Sequence, residues 1–401
     1  MNRIPAIRFK GFTDPWEQRK LGELVTITSG IAPSLFSEGV NPYVKVDDLN
    51  YSTRLQTVTQ ATVAHSSCME MVPAGSTIFA KRGAAIMTNK TRLLGVPAYM
   101  DTNMMALTPH GIDGDFLFEL IGRTGLYRIA DTSTIPQINN KHIEPYTVQV
   151  PTSLREQESI ASLFASLDNL ITLHQRKHDQ LSVLKKGLLE KMFPRDGTLV
   201  PEIRFKGFTD PWEQRKLGEL GTTYGGLNGK SKEDFGHGDA RFVPYTNVFD
   251  NPIADPSRLG EVEIDSSQSR VLYGDALFTV SSETPEEVGM SSVWLSDLDN
   301  LYLNSFCFGY RQDGSFDPYY LAYMLRSKSV REDIELLAQG ISRFNISKGK
   351  VMEVEVPLPE MAEQRQVGAL FHQLDNLITL HQRKLELLKN LKAACLDKMF
   401  V

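Results

Sequence analysis

Two stretches of the chain carry apolar residues in a regular alternation of three and four positions. The first stretch starts after Ile160 and the second after Val367, and the second contains no proline. A sustained 3-4 repeat predicts a long helix with the seam of a coiled coil. The seam positions are Leu163, Leu167, Leu170, His174, Lys177, Leu181, Leu184 and Leu188 in the first stretch, and Leu370, Leu374, Leu377, His381, Lys384, Leu388, Leu391 and Cys395 in the second.

The chain also contains two long copies of its own sequence. Residues 5–24 recur at 201–220 with a single difference, which falls at Ala6. The block LDNLITLHQRK at 167–177 recurs unchanged at 374–384, inside the second predicted helix. Internal repeats of this length indicate a duplicated architecture. Its order is a head, a variable segment and a helix, followed by the same three parts again.

The two variable segments, 25–150 and 221–356, share little beyond a closing Val-x-Val-Pro. Both mix short strand-like runs with stretches of helical periodicity, which predicts α+β domains of one shared fold. Strands are predicted at 43–46, 77–80, 276–280 and 301–308, and helices at 116–130 and 319–338. The predicted division of the chain is two globular domains, at 1–153 and 200–360, each followed by a helical segment, at 154–199 and 361–401.

Each long helix, at roughly 33 residues, would extend about 50 Å. One helix cannot bury an apolar stripe of that length by itself, so we expect the two helices to pack against each other. A pseudo-two-fold axis between the two similar halves would make the pair antiparallel. The fold class is therefore α+β, with two similar globular domains separated by an antiparallel coiled coil.

The seam is interrupted at matching depth by a histidine and a lysine in each helix. Polar seam residues can fix the register of a coiled coil or receive a partner protein. The alternative is a partly open seam in which Lys177 and Lys384 reach solvent along their aliphatic stems and His174 and His381 stay solvated.

Composition and charge exclude several classes of protein. The chain is 41% hydrophobic and 23% charged, typical of a folded globular protein. We expect a cytosolic protein, because no apolar run approaches the roughly 18 residues of a membrane span and no apolar signal segment opens the chain. Three widely spaced cysteines indicate neither a disulfide framework nor a zinc site. The net charge of −6 is unlike that of a strongly basic DNA-binding domain, and the acidic excess lies in the C-terminal half.

A duplicated head and helix around two unlike domains resembles the specificity subunits of type I restriction-modification systems along essentially the whole chain. The family's conserved pattern falls on 154–157 with 167–177, and on 361–364 with 374–384. The resemblance implies that the variable segments are target-recognition domains, one for each half of a split DNA sequence.

The resemblance also implies that the chain is not an enzyme itself. In such systems two modification subunits carry the S-adenosylmethionine chemistry and dock on the conserved helices, and restriction subunits join them to cleave DNA. We therefore expect double-stranded DNA and these subunits as partners. No cofactor or metal is expected on this chain, since S-adenosylmethionine, ATP and Mg would belong to the partner subunits.

The residues that would contact DNA are predicted from a polar loop that precedes the closing strand in both variable segments, and from local basic clusters. Amide side chains can hydrogen-bond adenine, arginine can bridge the acceptors of guanine, and lysine can hold phosphates. The alternative is an ordinary solvated loop. The candidates in the first half are Lys81, Arg82, Lys90, Arg92, Thr134, Gln137, Asn139, Asn140 and Lys141, and those in the second half are Lys230, Lys232, Thr246, Asn247, Arg343, Asn345, Lys348 and Lys350.

A rival interpretation is a coiled-coil scaffold whose variable domains bind proteins or small ligands. The acidic C-terminal half is consistent with it. Sequence-specific DNA binding that weakens steeply with salt would distinguish the two hypotheses.

Overall fold

The computed structural model describes residues 4–132, 135–195 and 197–401. Contacts divide the chain into two compact units. Unit 1 contains the residues up to Lys177 together with His381–Val401, and unit 2 is His178–Leu380. Each unit therefore combines one variable segment with one half of each long helix.

Unit 1 is a mixed α+β domain. Its strands are β1 (Glu17–Lys20), β2 (Val25–Ser29), β3 (Asn41–Val44), β4 (Leu55–Gln56), β5 (Ala61–Val63), β6 (Thr77–Ala80), β7 (Thr91–Leu94), β8 (Tyr99–Met100), β9 (Met104–Pro109) and β10 (Thr147–Val150). Its helices are α1 (Leu21–Leu24), α2 (Gly114–Thr124), α3 (Asn140–Ile143) and the first half of the long helix α4 (Leu154–Lys191). The strands form a five-stranded sheet in the order β2-β9-β6-β7-β4, a three-stranded sheet β5-β3-β8 and the pair β1-β10.

Unit 2 has a closely related set of elements. Its strands are β11 (Glu213–Lys216), β12 (Gly221–Gly225), β13 (Phe235–Val243), β14 (Gly260–Val262), β15 (Ala276–Thr279), β16 (Ser281–Ser282), β17 (Ser291–Val293), β18 (Leu301–Leu303), β19 (Cys307–Gln312), β20 (Phe344–Asn345) and β21 (Glu355–Leu358). Its helices are α5 (Tyr245–Asp250), α6 (Pro318–Met324), α7 (Lys328–Leu336), α8 (Lys348–Val351) and the first half of α9 (Met361–Met399). The sheets are β12-β19-β15-β17, β14-β13-β18, β16-β20 and β11-β21.

The two units share one topology. The order β2-β9-β6-β7 in unit 1 corresponds to β12-β19-β15-β17 in unit 2, and β5-β3-β8 corresponds to β14-β13-β18. In both three-stranded sheets the central strand pairs antiparallel with one neighbour and parallel with the other. The prediction of two similar α+β domains is confirmed, although their sequences share little.

Three of the predicted elements are wrong in detail. The helix predicted at 116–130 ends at Thr124, because Gly125 adopts the left-handed backbone conformation with a φ of 72°. The helix predicted at 319–338 is two helices, α6 and α7, because the extended backbone of Ser327 starts a new helix. The strand predicted at 301–308 is interrupted by a tight turn, in which the Asn304 carbonyl accepts from the Cys307 amide at 3.0 Å and the Asn304 side chain accepts from the Phe306 amide at 2.9 Å. Hydrophobic periodicity detects neither the extended backbone of Ser327 nor the hydrogen bonds of the turn at Asn304.

A buried glutamate connects each duplicated head to its long helix. In unit 1 the Arg8 guanidinium donates to both carboxylate oxygens of Glu156 at 2.6 and 2.7 Å, and the Trp16 indole donates to the same carboxylate at 3.3 Å. Glu156 is 1% exposed, so pairing with a cation is what makes its burial tolerable. Unit 2 repeats these contacts with Arg204, Trp212 and Glu363.

The glutamine that follows each of these glutamates holds the start of a helix in the variable segment. In unit 1 the Gln157 amide accepts from the Asp113 amide at 2.9 Å and donates to the Pro151 carbonyl at 2.9 Å. Asp113 is the N-cap of α2. Gln364 makes the equivalent contact with Asp317, the N-cap of α6, at 2.8 Å. The duplicated Glu-Gln pair is therefore a structural connection between framework and variable segment.

The halves of the long helices run antiparallel within each unit. In unit 1 the contacts descend along α9 as they ascend along α4, as shown by Asp168 with Lys392 and His174 with His381, and Phe400, just after the end of α9, contacts Phe164 near the start of α4. In unit 2 Lys185 of α4 pairs with Asp375 of α9, and Phe193, just after the end of α4, contacts Phe371 near the start of α9. The predicted antiparallel pairing is thus confirmed in both units.

The predicted seam, however, does not describe the buried face of the helices. Near its start α4 buries Ile160, Ala161, Phe164 and Leu167 in the unit 1 core, which is a wider face than a two-position seam. The helix packs against a domain as well as against its partner, and this rotates its buried face. Other seam residues are partly buried (Leu163, Leu181, Leu188, Leu370, Leu388 and Cys395), whereas Leu170, Leu184, Leu377, Leu391, Lys177 and Lys384 are exposed.

No helix among the described residues combines the length and apolar character needed to cross a lipid bilayer.

Candidate nucleic-acid interface

Each unit presents one polar loop that is closed by the same pair of backbone hydrogen bonds. In unit 1 the Asp131 and Gln137 main chains exchange two hydrogen bonds of 2.9 Å. In unit 2 Gln339 and Asn345 do the same at 3.0 and 2.9 Å. The loops 131–137 and 339–345 lie within the polar segments predicted from the sequence, 131–141 and 339–348, and they occupy equivalent places in the two units.

The backbone next to the two loops is hydrogen-bonded in the same way in both units. In unit 1 the Ile138 amide donates to the Lys81 carbonyl at 2.8 Å, and the Lys81 amide donates to Asn103 at 2.7 Å. Unit 2 has the same chain of hydrogen bonds through Ile346, Val280 and Phe306, each at 2.9 Å. The same backbone arrangement thus carries different side chains in the two units. Lys81 of unit 1 corresponds to Val280 of unit 2, and Asn103 corresponds to Phe306.

In unit 1 most of the amide candidates lie around this loop. Gln137 is half-buried and donates to the Asn139 side chain at 3.1 Å. Asn139 precedes α3, while Asn140 and Lys141 are exposed on its first turn. Thr134 lies outside the described residues.

The basic cluster of unit 1, which is Lys81, Arg82, Lys90 and Arg92, contains both exposed and partly buried side chains. Arg82 and Lys90 are exposed, and the Lys90 ammonium donates to the Asn50 side chain. Lys81 is half-buried, and burial lowers its pKa. The Arg92 guanidinium, in contrast, is directed into the domain.

Arg92 donates to the Ser52 hydroxyl at 3.0 Å and to the Leu49 and Thr91 carbonyls. Burial lowers the pKa of this guanidinium. The side chain therefore holds the loop at residues 49–52, and the predicted role of Arg92 as a phosphate contact is wrong for this fold.

In unit 2 the candidates from loop and helix are all exposed. Arg343 and Asn345 lie in and beside the loop, and Lys348 and Lys350 lie on α8. Their arrangement is compatible with the predicted role.

The remaining candidates of unit 2 differ among themselves. Lys232 and Thr246 are exposed. The Lys230 ammonium lies 2.9 Å from an Asp265 carboxylate oxygen, and this hydrogen bond raises the pKa of the lysine. Asn247 is fully buried, with its side chain hydrogen-bonded to the main chain of Asp255 and Arg258. Its assignment as a DNA contact is wrong for this fold, because the amide does not reach the surface.

A cleft beside the unit 2 loop contains residues that the sequence analysis missed. Its volume is about 650 Å³. One wall carries Tyr245 and Phe249, whose rings stack with centroids 5.9 Å apart. The other lining residues are Ser281, Ser282, Glu283, Glu287, Ser342 and Arg343. They come from three distant segments, and no local motif brings them together.

The duplicated block of the long helices keeps a matched set of exposed side chains. Leu170 is 43% and Leu173 is 51% exposed in α4, and their copies Leu377 and Leu380 are 43% and 45% exposed in α9. Asn169, Arg176, Lys177 and their copies Asn376, Arg383 and Lys384 are also exposed. Within unit 1, His174 and His381 contact each other, with their Nδ1 atoms 2.8 Å apart.

Among the described residues, no group of three or more His, Cys, Asp or Glu side chains is placed to hold a metal ion.

The model of the family described as type I restriction modification DNA specificity domain matches the chain twice, at residues 13–183 and 209–390. The chain belongs to this family. Each matched region of the specificity domain spans most of a head, a variable segment and much of a long helix, so the two matches follow the duplication.

Two relatives of this specificity-domain family come from Methanocaldococcus jannaschii. The putative type I restriction enzyme MjaX specificity subunit is 27% identical over 200 residues, which are 48% of this chain and 46% of the relative. The type I restriction enzyme MjaVIII specificity subunit is 25% identical over 268 residues, 64% of this chain and 62% of the relative. The matched part is thus less than two thirds of either relative.

The fold has a counterpart of full length among solved structures. The crystal structure of the type I restriction-modification system S subunit from M. genitalium covers 99% of both chains, with a TM-score of 0.58 and 14% identity. At this identity the likeness concerns the fold, and it agrees with the two-domain arrangement of the specificity-domain family.

Proposed function

We propose that this chain is the non-catalytic DNA-recognition subunit of a type I restriction-modification enzyme, and that each unit reads one half of a split DNA sequence. The observation that supports this is the pair of loops, 131–137 and 339–345, which share backbone hydrogen bonds but not side chains. A scaffold that is constant and side chains that vary are what two readers of different sequences require.

The loops supply the chemistry for reading bases. The exposed amide of Asn140 in unit 1 can pair with adenine, and the exposed guanidinium of Arg343 in unit 2 can bridge the acceptors of guanine. Arg82, Lys141, Lys348 and Lys350 supply cations for phosphates on either side.

The matched exposed residues of the helices support two identical protein partners. Exposed leucines recur at matching positions of the duplicated block, Leu170 with Leu377 and Leu173 with Leu380, and identical exposed positions suit identical partners. Two copies of a modification subunit would cover these positions, and restriction subunits would join that assembly. S-adenosylmethionine, ATP and Mg would be bound by those partners.

Each long helix, at 1.5 Å per residue, is longer than one turn of B-DNA, which is about 34 Å. The base pairs between the half-sites would remain unread.

The test is an exchange of one variable segment. Residues 221–356 are replaced by the corresponding segment of another family member, and the methylated sequence is mapped in a host that expresses the chain with its modification partner. We expect one half of the recognised sequence to change and the other half to remain. A change in both halves would contradict the modular reading, and binding without sequence preference or salt dependence would favour the protein scaffold.

A further inference from the structure

The loop of unit 2 ends in an apolar side chain with almost no protein contact. Ile341 is 98% exposed, which makes it the most exposed of the large apolar side chains described. Its loop is not loose at the base, since Gln339 and Asn345 close it with two hydrogen bonds and β20 pairs with β16. A β-branched side chain is also stiff about its first torsion. The loop thus presents a hydrocarbon tip to solvent on a base that two backbone hydrogen bonds close.

The surroundings of this tip suit a polyanion better than an apolar protein surface. Residues 339–352 contain three cations, Arg343, Lys348 and Lys350, and no acidic residue. All three side chains are exposed. An apolar tip surrounded by exposed cations fits a groove whose edges are phosphates and whose floor carries a hydrocarbon group.

The adjacent cleft indicates which part of the DNA faces the loop. Glu283 and Glu287 line it and are exposed, and neither has an ion-pair partner among the described residues. Carboxylates repel phosphates but accept hydrogen bonds from the amino groups of bases. The side of the loop nearest the cleft is therefore suited to base edges and not to the backbone.

We propose that Ile341 enters the major groove and packs against the C5-methyl group of a thymine in the half-site read by unit 2. The thymine methyl is the apolar group that the major-groove edge of a base pair offers, and apolar side chains contact it there. The inference rests on the proposed function and assigns one feature of the recognised sequence to one residue.

The experiment removes the methyl group from each side in turn. The full chain is assembled with its modification subunit, and binding to its mapped sequence is measured at fixed salt. Each thymine in the unit 2 half-site is replaced singly by deoxyuridine, which lacks only the C5-methyl. For the wild-type complex we expect one of these duplexes to bind more weakly, by roughly threefold to tenfold.

The variant Ile341→Ala completes a double-mutant cycle with the deoxyuridine substitution. The variant complex should bind the unmodified duplex more weakly than the wild-type complex does, by a similar factor. The variant should then bind the critical deoxyuridine duplex as tightly as it binds the thymine duplex. Ile264→Ala is the matched control, because Ile264 is another exposed isoleucine of unit 2 and should not respond.

Three outcomes would overturn the inference: a unit 2 half-site without thymine, additive effects of Ile341→Ala and deoxyuridine at every position, or an Ile341→Ala defect in assembly with unchanged DNA binding. The last would place the tip against a protein partner. A wild-type complex without any sequence preference would instead reject the proposed function itself.

Discussion

Asp168 in unit 1 and its copy Asp375 in unit 2 occupy the same position in the duplicated block but receive different partners from the variable segments. In unit 1, Asp168 accepts from Arg54 at 2.9 Å and from Lys392 at 2.7 Å. In unit 2, Asp375 accepts from the Tyr323 hydroxyl at 2.8 Å and from Lys185. The lysine comes from the other long helix in both units. The duplicated helices therefore present the same carboxylate in both units, and the variable segment supplies a guanidinium donor in unit 1 and a hydroxyl donor in unit 2.

The two sets of contacts at this aspartate differ in the number of charges that they bury. Arg54 is 7% exposed and also contacts Asp115 and the buried Glu119, so unit 1 carries an ionic network in its interior. Unit 2 adds a single neutral hydroxyl. Buried ions are costly to leave unpaired, whereas a lost neutral hydrogen bond costs about 1 kcal/mol. Unit 1 should therefore be the more sensitive of the two to mutation at this junction.

The largest expected effect is that of Arg54→Met. It would leave Glu119 buried without its guanidinium partner, and we expect unit 1 to lose about 3–5 kcal/mol of unfolding free energy. Hydrogen exchange, resolved by peptide, would report the loss in unit 1 and no change in unit 2. Arg258→Met is the control, because its ion pair with Asp250 is exposed and should contribute about 0–1 kcal/mol. Equal losses in the two variants would remove the distinction between the units.

A smaller effect is expected of Tyr323→Phe in unit 2. The substitution removes one hydrogen bond while Asp375 keeps its lysine, so the loss of stability should be about 1 kcal/mol and confined to unit 2. The exposed Tyr273 provides a matched control, since Tyr273→Phe should change little. A loss as large as that of Arg54→Met would mean that the hydroxyl has a further role.

The smallest effect concerns pH and Glu119. Burial raises the pKa of its carboxyl above the ordinary value, against the attraction of Lys392 and Arg54. The folded state then binds the proton more tightly than the unfolded chain, so this contribution to stability is full below the unfolded pKa of about 4.3 and is lost as pH rises through the folded pKa. Relative to Glu119→Gln, the unfolding free energy of unit 1 should fall as pH rises above about 4. The opposite slope would mean that its cationic partners dominate over burial.

Periodicity and duplication are sufficient to predict the framework. The observed α4 and α9 begin at Leu154 and Met361, where the predicted helical segments begin, and their antiparallel pairing follows from two apolar faces in a duplicated chain. The rotated buried face could not be predicted in the same way. It depends on the packing of Phe164 and Leu167 against a domain that does not share their periodicity.

The reading surface was predictable in position but not residue by residue. A polar loop before the closing strand is visible in both halves of the sequence, and the two loops do correspond. Arg92 and Asn247 have side chains typical of DNA contacts, yet the fold uses them to bind its own carbonyl groups. The cleft around Tyr245 and Glu283 was missed because it forms from segments far apart in the sequence.

The ring of Phe400 lies against Trp16, with centroids 6.0 Å apart, in the core of unit 1. Its copy Phe193 lies against Trp212 in unit 2 at 6.3 Å. A ribosome therefore finishes every segment of unit 2 before it supplies the residues that complete the interior of unit 1. Unit 1 therefore keeps part of its apolar interior exposed until the chain of unit 2 has been synthesised. Because its last contacts join residues far apart in the sequence, we expect unit 1 to be the slower of the two units to complete folding.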